Sequence, residues 1–292
     1  MIECRVRRTD AVPVRLYHTM PKARTMPLAL TVATSDSGGG AGIQGDIKAM
    51  EANGVFALSV VVAVTAQNTK AISRIHPLPR AVIEAQLDAV FDDFAIDAVK
   101  TGMLFSADIV RLTAERLRKW SAPHLVVDPV MVSKTGTTLL QPDAVDVMRR
   151  HLFPLAEVVT PNVPEAEALL GTRISSVEEA RAAAAAIHRL GCRAVLLKGG
   201  HLSSSPATDV LYDGATWTVF PGEWIDVPHT HGTGCAYGAA IAAHLAQGAD
   251  LTEAVRAAKQ YVTAAIRHGL AIGHGRGPVH HLYRLADDEG SQ

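Results

Sequence analysis

The sequence predicts an α/β protein whose mostly parallel sheet is covered by helices on both faces. Short apolar segments alternate with segments of helical periodicity along most of the 292 residues, the pattern of repeated strand–helix–strand units. The segment 57–64 is an almost unbroken apolar run, typical of a strand buried on both faces. Polar residues follow several predicted strands, at the edge where such sheets bind ligands.

The first elements carry clear local signals. Residues 28–34 form an apolar strand, a Gly-rich loop follows, and Gly54 ends the amphipathic helix 43–53. Pro79 opens a helix that reaches residue 94. The alternation continues with predicted strands at 72–76, 98–101, 124–127, 157–160 and 194–197, and with predicted helices at 107–120, 142–152 and 235–247.

The second half of the chain adds two helix starts and a hairpin. A capping box of Ser176 and Glu179 opens a helix to residue 190, and Asp250 with Glu253 caps a last helix to residue 268. Asp213-Gly214 predicts a hairpin turn between the short strands 208–212 and 216–220.

We expect one domain over residues 28–285, because no internal repeat or low-complexity linker divides the chain. Residues 1–27 lack periodicity and contain three prolines, which predicts a loosely ordered extension. The polar tail 286–292 is expected to fray.

Composition excludes several classes of function. The net charge is -1 and no long basic block occurs, which argues against nucleic acid as a main partner. No apolar run is long enough to span a membrane. The three cysteines, Cys4, Cys192 and Cys235, share no CxxC spacing, which indicates a reducing, cytoplasmic location.

The segment 229–235, His-Thr-His-Gly-Thr-Gly-Cys, is the strongest candidate for chemistry. It is a turn of small residues that runs into an Ala-rich helix, so the first N–H groups of that helix are open to an anion. Cys235 lies in the first turn, where the helix dipole is expected to lower its pKa. Other interpretations remain open: a structural Gly-rich start with a buried cysteine, a zinc site of His229, His231 and Cys235, or a Cys–His hydrolase dyad.

Gly40, Gly42 and Gly45 match the GxGxxG pattern of dinucleotide-binding proteins. A loop separates the strand from Gly40, where the dinucleotide fold has a tight turn, and no acidic residue ends the second strand to bind a ribose. We therefore expect these glycines to let the backbone approach a small substrate closely.

Four residues after different strands suggest a nucleotide phosphate site. Asn162 and Glu165 open a helix and could orient Mg²⁺ and its waters, or they could be a simple cap with an exposed Glu. Asp128 adds a further oxygen, and Lys198 adds a positive charge for a phosphate.

Taken together, the motifs resemble the ribokinase-like superfamily, and within it the hydroxymethylpyrimidine/phosphomethylpyrimidine kinases of thiamine (vitamin B1) biosynthesis. The resemblance covers about residues 28–285. The matching segments are 35–46, 64–69, 100–104, 127–131, 160–167, 197–201, 229–235 and 277–281.

The resemblance implies a three-layer α/β/α fold and a homodimer. It also implies transfer of the γ-phosphoryl group of ATP, with Mg²⁺, to 4-amino-5-hydroxymethyl-2-methylpyrimidine and then to its monophosphate. Gln67 would read the aminopyrimidine edge, and the turn 232–235 would be the anion hole with Cys235 as the base. The implied site residues are Ala41, Asp46, Thr65, Gln67, Met103 and Val130 for the substrate, Asn162, Lys198, Gly232 and Thr233 for ATP, Asp128 and Glu165 for Mg²⁺, directly or through water, and Gly232, Thr233, Gly234 and Cys235 for catalysis.

Two alternatives stay beside this interpretation: a pyridoxal/pyridoxine kinase on the same fold, and a pyrimidine-binding sensor without catalysis. An amide such as Gln67 pairs better with an aminopyrimidine edge than with a pyridine phenol. Thr34 stands where the resembled family usually has Gly, and a β-branched residue there is expected to narrow the pocket floor.

Overall fold

A computed structural model of the chain describes residues 26–131, 139–200, 202 and 207–287. Most of the predicted extension, His201 and the last five residues of the predicted tail lie outside this part. The strands are β1 (Leu28–Asp36), β2 (Phe56–Gln67), β3 (Ile72–Pro77), β4 (Ala98–Thr101), β5 (Leu125–Val127), β6 (Val158–Val159), β7 (Ala194–Leu197), β8 (Asp209–Tyr212) and β9 (Trp217–Phe220).

Helices alternate with these strands as the sequence predicts. They are α1 (Gly42–Ala52), α2 (Arg80–Asp93), α3 (Ala107–Lys119), α4 (Pro142–Val147), α5 (Val163–Leu170), α6 (Val177–His188), α7 (Thr233–Ala246), α8 (Leu251–Arg267) and α9 (Tyr283–Asp287). None of the helices in the described segments is both long and apolar enough to cross a membrane.

All nine described strands form one sheet in the order β3-β2-β1-β4-β5-β6-β7-β8-β9. The six strands from β2 to β7 in this order run parallel to one another. Only β3 at one edge and the β8–β9 hairpin at the other are antiparallel. The predicted mostly parallel sheet and the predicted hairpin are therefore confirmed.

Helices cover both faces of the sheet and give the three layers. One apolar cluster packs α2 through α6 against the sheet, with Ile83, Leu112 and Ile187 fully buried in it. The opposite cluster packs α1, α7 and α8, with Met50 and Ile241 fully buried. The α/β/α fold class is confirmed.

Some element boundaries differ from prediction for local reasons. The predicted helix 142–152 ends as an α-helix at Val147 and continues as one π-helical turn over Met148–Leu152. A 3-10 turn over Phe153–Leu155 follows, and Pro154 within it lacks the N–H that a longer helix needs. At the C-terminus, α9 extends through Asp287, two residues into the predicted tail.

A buried ion pair joins the two central strands to α1. Lys100 of β4 and Asp46 of α1 are both fully buried, and Lys100 Nζ lies 2.8 Å from both carboxylate oxygens. Thr31 of β1 donates its hydroxyl to Asp46 Oδ2 at 2.6 Å. These bonds satisfy both charges, which is the condition for burying them.

We expect Lys100→Met to lower the free energy of unfolding by about 3–5 kcal/mol, because it leaves the Asp46 carboxylate buried without a positively charged partner. Lys100→Met/Asp46→Leu should recover most of that loss. Arg80→Met is the control, because it breaks an ion pair with Glu115 whose side chains are 49% and 50% exposed and should cost no more than about 1 kcal/mol. Urea unfolding measures all three variants. Equal losses for Lys100→Met and Arg80→Met would contradict the assigned role of the buried pair.

Candidate active site

A cleft of about 1100 Å³ lies at the carboxyl ends of the parallel strands. The half that the sequence predicts to bind the substrate, named the substrate half, is formed by residues that follow β1, β2, β4 and β5. The half predicted to bind phosphates, named the phosphate half, is formed by residues that follow β5, β6 and β7. The structure brings nearly all of the predicted site residues together here: Ala41, Thr65, Gln67, Met103, Asp128, Val130, Asn162, Glu165, Lys198, Gly232, Thr233, Gly234 and Cys235 line the cleft.

Asp46 is the exception among the predicted substrate-binding residues. It is fully buried behind the cleft wall, and both carboxylate oxygens are held by Lys100 and Thr31. A direct bond to substrate does not fit this placement. The residue instead anchors Lys100, whose aliphatic chain packs beside Gly238 of α7, one turn beyond Cys235.

The turn before α7 depends on a glycine at residue 232. Gly232 is the N-cap of α7 and has a left-handed backbone with φ of 82°. A β-carbon there would lie 1.8 Å from the carbonyl oxygen of Gly40, so the turn packs directly on the Gly-rich loop before α1. α7 begins at Thr233, two residues earlier than predicted, which places Gly234 and Cys235 in its first turn with N–H groups that have no acceptor within the helix.

Cys235 is a half-buried thiol at this helix terminus, on the wall of the cleft. The expectation that the helix end lowers its pKa is not met, because burial raises the pKa of Cys235 to about 11. The positive charge of Lys100 opposes that rise, and so does a hydrogen bond from the backbone N–H of Gly42. The thiol is therefore protonated near neutral pH, and its thiolate is a minor species.

The histidines of the turn have partners other than Cys235. His231 Nε2 lies 2.8 Å from Asp36 Oδ2, and His229 Nδ1 accepts a hydrogen bond from the backbone N–H of Gly277 at 3.2 Å. These contacts favour neither the zinc site nor the Cys–His dyad that the spacing left open.

The phosphate half contains a buried lysine between two carboxylates. Lys198 Nζ donates to Asp128 Oδ1 at 2.8 Å, and the hydroxyl of Thr160 donates to the same oxygen at 3.3 Å. Burial opposes both charges, yet their attraction prevails: the pKa of Asp128 is lowered and the pKa of Lys198 is raised. The pair is thus ionised at neutral pH, with its positive end beside the first turn of α7, where a β-carbon on Gly234 would lie 3.6 Å from Lys198 Nζ.

Asn162 and Glu165 form a capping box at the start of α5. The Asn162 side chain accepts from the Glu165 N–H at 2.9 Å, and Glu165 Oε2 accepts from the Asn162 N–H at 2.8 Å. The predicted helix cap is confirmed. The prediction that its Glu is exposed is wrong, because Glu165 is only 7% exposed. Burial raises the pKa of Glu165 to about 7, although Lys198 nearby lowers it.

In the substrate half, Gln67 ends β2 with its amide between two polar neighbours. Its Oε1 accepts from the Thr65 hydroxyl at 3.1 Å, and its Nε2 lies 3.4 Å from His231 Nε2. The backbone N–H of Gln67 donates to the Ser37 hydroxyl at 2.8 Å. These contacts hold the amide at the cleft wall.

Asp36 holds the Gly-rich loop in place through hydrogen bonds. The sequence predicts only that it follows a strand and assigns it no function. Its carboxylate accepts from the backbone N–H groups of Gly38 and Ala41 at 2.8 and 2.9 Å, and it also contacts His231. Burial raises the pKa of Asp36, but the bonds to His231 and the loop outweigh it and lower the pKa overall. Several backbone N–H groups bind this one carboxylate because of the conformation of the loop. The spacing of residues along the chain does not predict that conformation.

Thr34 is buried in the cleft wall with its hydroxyl already bonded. Its Oγ1 donates to the Met103 carbonyl at 3.0 Å, and its N–H donates to the same oxygen at 3.1 Å. The β-branched residue thus fixes the backbone of Met103, which also lines the cleft.

Comparison with known proteins agrees with this geometry. A model of the family described as phosphomethylpyrimidine kinase matches residues 36–280. The chain is 52% identical over 258 residues to the thiamine biosynthesis bifunctional protein ThiED of Geobacter sulfurreducens, covering 88% of this chain and 53%, about half, of that longer protein. It is 48% identical over 264 residues to the hydroxymethylpyrimidine/phosphomethylpyrimidine kinase of Rhizobium meliloti, covering 89% of this chain and 99% of the relative.

Solved structures show the same relationship. An ADP complex of Bacillus subtilis pyridoxal kinase superposes with a TM-score of 0.83 at 40% identity, over 89% of this chain and 100% of that one. A phosphomethylpyrimidine kinase from Clostridium difficile superposes with a TM-score of 0.74 at 42% identity, over 82% and 99%. This chain belongs to the phosphomethylpyrimidine kinase family.

Proposed function

We propose that the chain transfers the γ-phosphoryl group of ATP to 4-amino-5-hydroxymethyl-2-methylpyrimidine, and then to the resulting monophosphate, in thiamine biosynthesis. The observation that carries the proposal is the position of the turn 232–235, which lies between the amide-lined substrate half and the Lys198–Asp128 phosphate half of one cleft. Such a turn is where a primary alcohol and a γ-phosphate can meet in line.

Cys235 is the base in this proposal. Its thiolate takes the proton of the hydroxymethyl group, the substrate oxygen bonds to the γ-phosphorus, and the bond to the β,γ-bridging oxygen breaks to release ADP. The N–H groups of the first turn of α7 and the Lys198 ammonium stabilise the charge on the migrating phosphoryl group. Lys100, buried and positively charged, stabilises the thiolate from beneath.

The phosphate half fits a magnesium ion carried by ATP. Asp128 and Glu165 offer carboxylate oxygens, and Mg²⁺ is usually held by one or two carboxylates together with phosphates and water. Bound Mg²⁺ would neutralise charge on the β- and γ-phosphates. Glu165, with its pKa raised to about 7, is available as an anion for this role once a cation is nearby.

The choice of substrate follows from Gln67. A side-chain amide presents one donor and one acceptor in a plane, which complements the amino group and adjacent ring nitrogen of an aminopyrimidine. Pyridoxal is the main rival, because several similar solved structures are pyridoxal kinases, including the Bacillus subtilis enzyme. A sensor without catalysis would have no use for the Cys235, Lys198 and Asp128 arrangement.

We also propose that the enzyme acts as a homodimer in the cytoplasm. The free thiols of Cys192 and Cys235 suit a reducing compartment.

A three-substrate assay tests the function. ADP release should be rapid with hydroxymethylpyrimidine and with its monophosphate, and at least about tenfold lower in kcat/KM with pyridoxal, because one well-placed hydrogen bond is worth about 1–2 kcal/mol. Turnover with pyridoxal alone would contradict the proposal. Pyrimidine binding without any ADP release would instead support the sensor.

The role of Cys235 predicts a pH dependence. Because the pKa of the thiol is raised to about 11, the thiolate fraction and kcat should both rise with pH over the neutral range, by about tenfold per pH unit between pH 6.5 and 8.5. Cys235→Ala should lower kcat by about 10²- to 10⁴-fold and remove this slope. Steady-state kinetics across the pH range measures both effects.

Cys192 is the matched control for that experiment. Burial raises its pKa to about 11 as well, but it is a buried thiol that packs in the core away from the cleft. Cys192→Ala should keep both kcat and the slope. A Cys235→Ala protein that folds normally and retains most of its kcat would show that the thiol is not the base.

The conformation of the turn gives a second prediction. Gly232→Ala forces a β-carbon against the carbonyl of Gly40 and should shift the first turn of α7, which we expect to lower kcat by about 100-fold through loss of anion-hole geometry. Gly248→Ala is the control, because Gly248 has a φ of 88° and a β-carbon added there would meet nothing within 4 Å. Both variants should lose about 1 kcal/mol of stability from backbone strain, and Gly232→Ala should lose more because the Gly40 carbonyl must also move. Equal kcat for the two variants would contradict the role of the turn.

A further inference from the structure

Arg276 is the cationic side chain of the cleft that has no acidic partner in the described part of the chain. Lys198 is paired with Asp128, and His231 is paired with Asp36. The Arg276 side chain lines the cleft, is exposed, and makes no ion pair with a described carboxylate. Its guanidinium is therefore free to bind an anionic ligand.

The backbone around Arg276 is held over the turn between β2 and β3. The Arg276 N–H donates to the Thr69 carbonyl at 2.9 Å, and the Gly275 N–H donates to the Thr69 hydroxyl at 3.1 Å. A β-carbon on Gly273 or Gly275 would lie 2.5 or 2.2 Å from atoms of Thr69, so the two segments are in close contact.

This anchoring places Arg276 in the substrate half of the cleft. Thr69 lies just beyond Gln67 at the end of β2, whereas Asp128, Asn162 and Lys198 follow β5, β6 and β7 on the other side of β1 and β4. Arg276 thus lies on the side of the cleft that holds Gln67, which the proposed function assigns to the pyrimidine substrate. Its fork of donors matches two oxygens of one phosphate.

The two proposed substrates differ in the charge that they bring to this half. The alcohol is neutral, but its monophosphate carries close to two negative charges at neutral pH. The Lys198 ammonium is already paired with Asp128, so the added phosphate favours a further cation that has no carboxylate partner among the described residues.

We propose that Arg276 binds the phosphate group of the phosphorylated pyrimidine and so selects the second substrate of the enzyme. The inference rests on the proposed function, because it assigns the phosphate subsite for the second transfer. Arg276 is not required for the first transfer, since the alcohol has no charge for it to bind.

The experiment measures binding and turnover separately. Arg276→Gln should weaken binding of the pyrimidine monophosphate, measured by calorimetry without ATP, by about 10- to 100-fold, the range for a hydrogen bond to a charged group. Binding of hydroxymethylpyrimidine should change less than about threefold. With ATP, KM should rise for the monophosphate only, and Arg276→Lys should restore part of the loss because it keeps the charge without the fork.

Lys70→Gln is the matched control. Lys70 is an exposed cation in the same β2–β3 turn, but it does not line the cleft. Its replacement therefore removes one positive charge near the site without removing a residue that could bind the phosphate. It should leave both substrates nearly unaffected. A similar loss for Lys70→Gln would reduce the effect to long-range electrostatics and overturn the assignment.

Other outcomes separate this inference from the proposed function. If Arg276→Gln affects both substrates equally, or neither, Arg276 is not the phosphate ligand. If the wild-type protein binds the monophosphate through Arg276 but transfers no phosphoryl group to either pyrimidine, the proposed function fails and the subsite stands.

Discussion

The buried ion pair of Lys100 and Asp46 is the interaction on which the site depends. It ties α1 to the two central strands, and it places a permanent positive charge beneath the N-terminus of α7. Without that charge, burial and the nearby carboxylates of Asp46 and Asp128 would raise the pKa of the Cys235 thiol further, and the thiolate would be rarer still. In the proposed mechanism, the ion pair that joins α1 to the sheet thereby also prepares the base for proton transfer.

Above this pair, two backbone segments meet with no room for a side chain between them. Gly232 packs on the carbonyl of Gly40, and the Asp36 carboxylate connects the same loop to His231. The substrate half and the phosphate half are therefore joined through one rigid contact rather than through a flexible linker. Phosphoryl transfer depends on positioning more than on covalent chemistry by the protein, so this rigidity is itself a catalytic contribution.

Much of the fold could be predicted because its local signals agree with its packing. The β-branched run in β2, the capping boxes at Asn162 and Ser176, and the Asp213-Gly214 turn each determine an element through contacts within a few residues. The site residues were predictable as a set, since carboxyl ends of parallel strands share one edge. Where the prediction of an exposed Glu165 was wrong, neighbours distant in sequence decided the outcome.

Sequence alone determined which residue types reach the cleft: a thiol and glycines at a helix start, an amide after β2, and a lysine with carboxylates after the later strands. Only the tertiary structure decided their charge states and partners. It turned Asp46 from a substrate ligand into the anchor of Lys100, and raised the pKa of Cys235 where a helix terminus alone predicts a fall. It also left Arg276 in the cleft without an acidic partner among the described residues. The reason is physical: a pKa depends on burial and on charges brought close by folding, and neither is encoded in the spacing of residues along the chain.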